Sequence, residues 1–369
     1  SNSVLQRGEP INIFGNAPAG AEVTVSFAGQ TVKTTADFKG EFLAQLPAME
    51  ANKAGQTLTV SSGNKTFTFD NILIGDVWLL GGQSNMRYSL SATNNFTEEI
   101  ADADNYPNIR YFYQELAASS YPLDDVAQGK WTVASSATAG TYSAVGYLFG
   151  RELYNALDGE VPIGLINASY GGSRAEAWMS LDAIEKDERF LALDGRLSSS
   201  DVRRPTYLYN AMLHPLLKYN FKGITFYQGE GNAYDGVLYK DIFLALVDDW
   251  REKFGKDLPF LYVQISAYEP SSTVEKPYLV RQSQLEALDE LENAAMIVSM
   301  DIGEQKNIHP KNKLPVSQRL ALAARALVYG HNIPYKSPSV ESVAYGDSSA
   351  TITFKDVGDG LDTSKTLSE

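Results

Sequence analysis

One stretch of the sequence decides the fold class: Val77-Trp78-Leu79-Leu80-Gly81-Gly82-Gln83-Ser84-Asn85-Met86. Its apolar first half is typical of a strand buried on both faces, and its glycines predict a tight turn. Similar apolar runs recur at Ile163–Ile166, Gly223–Tyr227, Pro259–Ile265 and Ala294–Met300. Helical periods separate them, at Ala144–Leu157, Tyr239–Phe254, Tyr278–Leu291 and Val316–Tyr329. Buried strands that alternate with amphipathic helices predict an α/β domain with a mostly parallel sheet.

The regions on either side of this pattern have a different periodicity. Apolar and polar residues alternate through residues 1–75, and glycine and asparagine mark turns between the runs. Short alternating strands of this kind predict a β-sandwich. The alternation returns after about Pro338. We therefore predict an N-terminal β-sandwich module at 1–75, an α/β domain at 76–336 and a partial C-terminal β-segment at 337–369.

Composition excludes several classes of function. The 369 residues carry a formal net charge of −14, and such a surface repels phosphate backbones, so we expect no nucleic-acid partner. No apolar run is long enough to predict a membrane span. The chain has no cysteine, which excludes disulfides, thiolate nucleophiles and cysteine-ligated zinc. With only three scattered histidines, His214, His309 and His331, we expect no metal site and no cofactor.

Polar or glycine-rich segments follow three of the predicted strands. They begin at Gly81, at Asn167 and at Gln228, and a fourth segment with a histidine, Lys306–Pro310, precedes the last helix. Since ligands in open α/β sheets bind beyond the carboxyl ends of the strands, we expect these segments to converge. A serine, glycine N–H groups, side-chain amides and a histidine are the components of an acyl-transfer site. Each component taken alone also has an ordinary structural explanation, as a cap, a turn or a surface residue.

Several ordered motifs together carry a family resemblance. They are Gly75-Asp76-Val77-Trp78-Leu79 with Gly82-Gln83-Ser84-Asn85-Met86, Asn167 through Trp178, Tyr227-Gln228-Gly229-Glu230 with Asn232-Ala233, and Ile308-His309-Pro310 with Lys313 and Arg319. In these motifs the chain resembles the sialate O-acetylesterase family within the SGNH (GDSL-like) hydrolases. The resemblance implies a three-layer α/β/α hydrolase domain at 76–336. It also implies a secreted or periplasmic protein, although residues 1–30 show no signal-peptide pattern.

The resemblance also assigns roles to residues of this chain. It makes Ser84 the nucleophile and His309 the general base. It places the oxyanion hole at the main-chain N–H groups of Ser84 and of Gly171 or Gly172. A side-chain amide from Gln228 or Asn232 would be the third donor.

The acid that normally orients the histidine is missing from its expected position. SGNH enzymes place it three residues before the histidine, where this chain has Lys306. An ammonium group only donates hydrogen bonds, so Lys306 cannot accept the second imidazole N–H. Asp301 and Glu230 are two possible orienting acids. We expect instead a Ser-His dyad whose imidazole is held by a main-chain carbonyl near Lys306.

The predicted activity is removal of O-acetyl groups from carbohydrate, with O-acetylated sialic acid as the expected substrate. Arg174 and Arg87 are candidate ligands for a sugar carboxylate, since guanidinium binds carboxylate in bidentate fashion. Acetylxylan or another acetylated polysaccharide is an alternative substrate. Two further alternatives are a non-catalytic glycan-binding protein on the same fold and a glycosidase that uses Glu230 and Asp301.

Overall fold

A computed structural model describes residues 1–194, 201–358 and 360 of the chain. The strands are β1 (Val4–Gln6), β2 (Ile11–Asn16), β3 (Glu22–Phe27), β4 (Gln30–Thr35), β5 (Glu41–Leu46), β6 (Asn52–Ser62), β7 (Lys65–Gly82), β8 (Ile109–Gln114), β9 (Gly129–Val133), β10 (Ile163–Ser169), β11 (Gly223–Tyr227), β12 (Phe260–Val263), β13 (Ala294–Ile297), β14 (Ser339–Tyr345) and β15 (Ala350–Lys355). The α-helices are α1 (Ser84–Arg87), α2 (Phe96–Asp102), α3 (Ala144–Ala156), α4 (Leu181–Glu185), α5 (Glu188–Asp194), α6 (Tyr239–Phe254), α7 (Pro277–Leu288) and α8 (Leu314–Leu327).

The centre of the molecule is a largely parallel sheet, as the sequence predicts. Its strands run in the order β13-β12-β11-β7-β10-β8-β9, and each neighbouring pair is parallel except β8 with β9. The predicted strand at β11 and the predicted helix at α6 have the observed bounds. The predicted strand at Ala294–Met300 is wrong at its end, because β13 stops at Ile297 and Met300 begins a short 3-10 turn. The mixed α/β class is confirmed.

Strand β7 connects this sheet to the N-terminal strands. Its first half pairs antiparallel with β6, and its second half, from Asp76 onward, pairs in parallel with β10 and β11. One continuous strand therefore crosses the boundary at residue 75 that the change of periodicity predicts. A Cβ at Gly75 would lie 2.0 Å from the carbonyl oxygen of Pro162, so only glycine allows the chain to pass there.

The N-terminal strands enclose a hydrophobic cluster of their own. Antiparallel pairs join β3 to β4 and to β6, and a separate antiparallel pair joins β2 to β5. The buried cluster is built from inward-facing residues such as Val25, Phe27 and Leu46. The larger cluster lies around the central sheet and includes Trp78, Phe226 and Trp250. Burial of apolar surface in two clusters stabilises the two regions by the same means.

Helices α3 and α8 pack against each other, as do α6 and α7. The side chain of Ser143 caps α3 by accepting a hydrogen bond from Gly146 N at 3.0 Å. At the C-terminal end, β14 and β15 form an antiparallel hairpin. Residues 359 and 361–369 of the predicted C-terminal segment lie outside the described part. No helix within 1–194, 201–358 and 360 is long and apolar enough to cross a membrane.

Candidate active site

Three neighbouring strands end at the same point of the sheet. The register pairs Gly82 of β7 with Ser169 of β10 on one side and with Tyr227 of β11 on the other. The polar segments after these strands therefore start side by side, as we predicted from the sequence. Gly82 has a φ of 132°, and a Cβ there would lie 2.2 Å from the carbonyl oxygen of Tyr227. Glycine is required at this position because the chain turns in a region that side-chain-bearing residues avoid. This turn places Ser84 at the sheet edge.

His309 reaches Ser84 from the loop before α8. Its Nε2 lies 2.8 Å from Ser84 Oγ, which is hydrogen-bonding distance. Asn307 Oδ1 accepts a hydrogen bond from the main-chain N–H of His309 at 3.0 Å, and the ring of Tyr88 stacks on the imidazole with 6.0 Å between centroids. A neutral imidazole in this position can accept the serine proton.

Gly171 follows β10 and lies beside the serine. A Cβ built on Gly171 would lie 3.8 Å from Ser84 Cβ. Within the described residues, no acceptor takes the main-chain N–H of Ser84, Gly171 or Gly172. Both glycines are exposed to solvent, so their N–H groups are open to a ligand. This arrangement leaves main-chain donors next to the serine, where an oxyanion would develop.

The side-chain amides of Gln228 and Asn232 are fully buried and bound to protein groups. Gln228 Nε2 donates to Asn232 Oδ1 at 2.7 Å and to the carbonyl oxygen of Ser173 at 3.1 Å. Asn232 Nδ2 donates to Glu176 Oε2 at 2.8 Å. Among the described residues, neither amide makes a hydrogen bond with Ser84 or His309. Their hydrogen bonds instead join the segments after β10 and β11.

The two candidate acids lie in other interactions. Arg319 binds both carboxylate oxygens of Asp301 at 2.7 Å, and these hydrogen bonds lower the pKa of Asp301. Glu230 is buried and accepts a hydrogen bond from Asn85 Nδ2 at 2.5 Å. Burial raises the pKa of Glu230. The structure brings neither carboxylate into hydrogen-bonding contact with His309.

Nor does a main-chain carbonyl hold the imidazole. Within residues 1–194, 201–358 and 360, no hydrogen bond is made by His309 Nδ1. The predicted bracing by a carbonyl near Lys306 is therefore wrong in this structure. Burial of the ring, together with the charge of Lys313, lowers the pKa of His309. Both effects disfavour the imidazolium, so the histidine is held in the form that accepts a proton.

The arginines predicted from the sequence are engaged in protein contacts. Arg174 Nη1 lies 3.1 Å from Asp235 Oδ2. Arg87 donates to the carbonyl oxygen of Ser169 at 2.9 Å and to Tyr113 Oη at 3.0 Å.

A third arginine, which we did not single out in the sequence, lies over the glycine pair. A Cβ at Gly172 would lie 3.2 Å from Arg203 Nη1. Asp201 binds this guanidinium through two hydrogen bonds, and the arginine side chain is 43% exposed. No local pattern distinguishes Arg203 from other surface arginines, so only the fold reveals this position.

The sequence profile of a family described as "Carbohydrate esterase, sialic acid-specific acetylesterase" matches residues 74–325. The chain belongs to this family of carbohydrate esterases. The sialate O-acetylesterase of Rattus norvegicus is 32% identical over 91% of this chain and 73% of the rat protein. The sialate O-acetylesterase of Homo sapiens is 31% identical over 93% of this chain and 73% of the human protein.

A solved structure agrees with this placement. The crystal structure of a carbohydrate acetylesterase from Xanthomonas citri superimposes with a TM-score of 0.87 at 35% identity, and covers 95% of this chain and 79% of that one. This carbohydrate esterase is therefore a carboxylic ester hydrolase. The family resemblance that we drew from the motifs is confirmed.

Proposed function

We propose that this carbohydrate esterase removes O-acetyl groups from sugars through an acetyl-enzyme on Ser84, with His309 as general base. The observation that carries the proposal is the 2.8 Å contact between His309 Nε2 and Ser84 Oγ, at the point where three parallel strands end. The open main-chain N–H groups beside the serine support it further.

The geometry supports a two-step reaction. Ser84 Oγ attacks the acetyl carbonyl carbon while its proton passes to His309 Nε2, and the oxyanion forms beside the N–H groups of Ser84 and Gly171. The C–O bond to the sugar then breaks, and the sugar oxygen takes the proton from His309. Water next attacks the acetyl-serine with His309 again as base, which releases acetate and restores Ser84.

We infer that the acetylated sugar is a sialic acid, because the curated relatives named above are sialate O-acetylesterases. Arg203 supports this choice, since its half-exposed guanidinium lies over Gly172 and could bind a sugar carboxylate. Acetylxylan and other neutral acetylated polysaccharides are the alternative. They have no carboxylate for Arg203 to bind.

A panel of acetylated sialosides and acetylated xylans tests both parts of the proposal through acetate release. Wild type should release acetate from a sialoside, and Ser84→Ala should release none above background. Arg203→Gln should raise KM for the sialoside about tenfold and leave hydrolysis of p-nitrophenyl acetate unchanged. Arg189→Gln is the matched control, because Arg189 has the same Asp-x-Arg pairing, with Asp187, and lies on α5. Equal rates of Ser84→Ala and wild type would overturn the mechanism.

The alternative of a non-catalytic glycan-binding role is not supported, because this chain is a carboxylic ester hydrolase. The described residues do, however, offer no acceptor to His309 Nδ1. A dyad without its acid can still be active, since the acid fixes the tautomer and stabilises the imidazolium without itself reacting. Glycan binding by wild type with no hydrolysis of p-nitrophenyl acetate would contradict the proposed mechanism. The glycosidase alternative lacks support, because Asp301 is paired with Arg319 and Glu230 is buried.

A further inference from the structure

A buried lysine and a buried glutamate lie behind the candidate active site, and one asparagine connects them. Lys313 Nζ donates to Asn85 Oδ1 at 2.6 Å, and Asn85 Nδ2 donates to Glu230 Oε1 at 2.5 Å. The three side chains are almost fully buried, with exposed fractions of 1% for Lys313, 0% for Asn85 and 6% for Glu230. Removing two charged groups from water is costly, and neither group is at the protein surface where it could be solvated.

This network touches both members of the Ser84–His309 pair through the main chain. Asn85 is the residue after Ser84, and its Nδ2 also donates to the carbonyl oxygen of Ile308 at 3.0 Å. Ile308 is the residue before His309. The side-chain amide of Asn85 therefore links the main chain next to Ser84 to the main chain next to His309. Its orientation is fixed, because its oxygen must accept from the lysine while its nitrogen donates to two acceptors.

We propose that Lys313 is a positioning residue that controls His309 in place of a triad carboxylate. It holds Asn85 against the Ile308–His309 main chain and places a cation 5.0 Å from the ring of Tyr88, which stacks on the imidazole. This inference rests on the proposed function of Ser84 and His309. A triad carboxylate favours the imidazolium, whereas a cation favours the neutral ring. Replacing the carboxylate by a cation therefore changes the pH range in which His309 acts as base.

Several charged and titratable groups lie on the described elements around the ring, and among them the charge of Lys313 lowers the pKa of His309. They are Arg87, Tyr88, Tyr227, Glu230, Glu304 and Lys313. Arg87 is bound to Ser169 and Tyr113, and Glu304 accepts from Lys311 N at 2.7 Å. The rings of Tyr88 and Tyr227 lie 5.0 and 5.5 Å from Lys313 Nζ, where their faces stabilise the cation.

The pKa of the lysine agrees with this role. Burial lowers the pKa of Lys313 to about 7, with Glu230 opposing that change. The lysine is therefore charged below about pH 7, which is the range in which an imidazole titrates. Its positive charge disfavours the imidazolium and lowers the pKa of His309, so removal of the charge should raise it.

Histidine NMR on the full chain measures this directly, because the sequence has only three histidines. Wild-type His309, assigned by loss of its signal in His309→Ala, should titrate below the ordinary value of 6.5. In Lys313→Met its midpoint should rise by about one pH unit. The acid limb of kcat/KM for p-nitrophenyl acetate should move to higher pH by the same amount, and kcat should fall while KM stays within about twofold.

Two further variants make the result unambiguous. Lys311→Met is the matched control, since Lys311 is an exposed lysine of the same loop, and it should leave the His309 midpoint unchanged. If Lys313→Met does not fold, the double variant Glu230→Gln/Lys313→Met removes both buried charges and should show the same rise of the His309 midpoint.

The effect of Lys313 on the His309 midpoint should persist at about 1 M salt, which screens exposed charges.

The outcomes separate this inference from the proposed function. A wild-type His309 midpoint at or above 6.5, or an unchanged midpoint in Lys313→Met, overturns the inference. An equal move in Lys311→Met also overturns it, because surface charge would then be the cause. The proposed function fails independently of these results if Ser84→Ala hydrolyses p-nitrophenyl acetate as fast as wild type.

Discussion

The two sides of the Ser84–His309 pair are held in different ways. On the serine side, the turn after β7 lies against fully buried amides, and Gln83 Oε1 accepts from Gly231 N at 3.0 Å. On the histidine side, the ring is half-buried. Two hydrogen bonds fix the adjacent main chain: His309 N donates to Asn307 Oδ1, and Asn85 Nδ2 donates to the carbonyl oxygen of Ile308. The serine side is held by many buried contacts and the histidine side by a few.

This difference predicts where substitutions act. A buried polar network on the serine side is part of the core, so its disruption should lower the free energy of unfolding. A loop held by a few hydrogen bonds on the histidine side can move without unfolding the protein, so its disruption should lower kcat. The four predictions below test this division, in order of decreasing effect.

The largest effect is expected where the two sides meet. Ser84→Ala and His309→Ala should each reduce kcat/KM for p-nitrophenyl acetate by about 10⁴-fold or more, because each removes one half of a single proton-transfer unit. The double variant should be no more than a few times slower than either single variant. Losses that multiply in the double variant would show that Ser84 and His309 act independently and do not form one catalytic unit.

Asn232→Leu tests the serine side. It leaves the buried carboxylate of Glu176 without its 2.8 Å donor, while Arg174 is 3.7 Å away. We expect a loss of about 3 kcal/mol in the free energy of unfolding, measured by urea denaturation. Asn105→Leu is the matched control, since exposed Asn105 donates to the Asp102 carboxylate at 2.9 Å, and it should cost under about 0.5 kcal/mol. Equal losses of stability in Asn232→Leu and Asn105→Leu would show that burial of the carboxylate does not determine the cost.

Asn307→Ala tests the histidine side. It removes the acceptor of His309 N, so the loop should sample orientations in which Nε2 is further from Ser84 Oγ. We expect kcat to fall about tenfold and the unfolding midpoint to stay within about 2 °C of wild type. Asn312→Ala, an exposed asparagine of the same loop, should change neither. A large loss of stability with unchanged kcat would show that this loop is part of the core and does not position His309.

The sequence predicts the serine side better than the histidine side, for a physical reason. Parallel strands that are buried on both faces are visible as unbroken apolar runs, and the ends of such strands meet at one sheet edge. The convergence of Gly82, Ser169 and Tyr227 follows from that rule. The direction of a buried amide does not follow from it, because Gln228 and Asn232 also donate to Ser173 and Glu176, which are 55 and 56 residues away in the sequence.

On the histidine side, proximity in sequence is misleading. Asp301 comes soon after a strand and before His309, which made it a reasonable candidate acid. Its actual partner, Arg319, is on α8, and no local pattern predicts that pairing. The burial of Lys313 is equally invisible in the sequence, since lysine is normally exposed. The continuity of β7 past Gly75 shows that a change of periodicity need not end a strand.

The smallest effect is expected from Asp301→Asn, which tests whether a carboxylate takes part at all. Asp301 is bound by Arg319 and is more than half exposed, so its replacement should change kcat by no more than about threefold and the free energy of unfolding by under about 1 kcal/mol. Because Arg319 lowers the pKa of Asp301, the ion pair stabilises the folded protein above the unfolded pKa of about 3.9 and this contribution disappears as the pH falls further. Wild type and Asp301→Asn should therefore differ slightly in stability at pH 6, and the difference should shrink as the pH falls below about 3.9. A loss of orders of magnitude in kcat at pH 7 would instead make Asp301 the orienting acid, and the histidine side would then be held as firmly as the serine side.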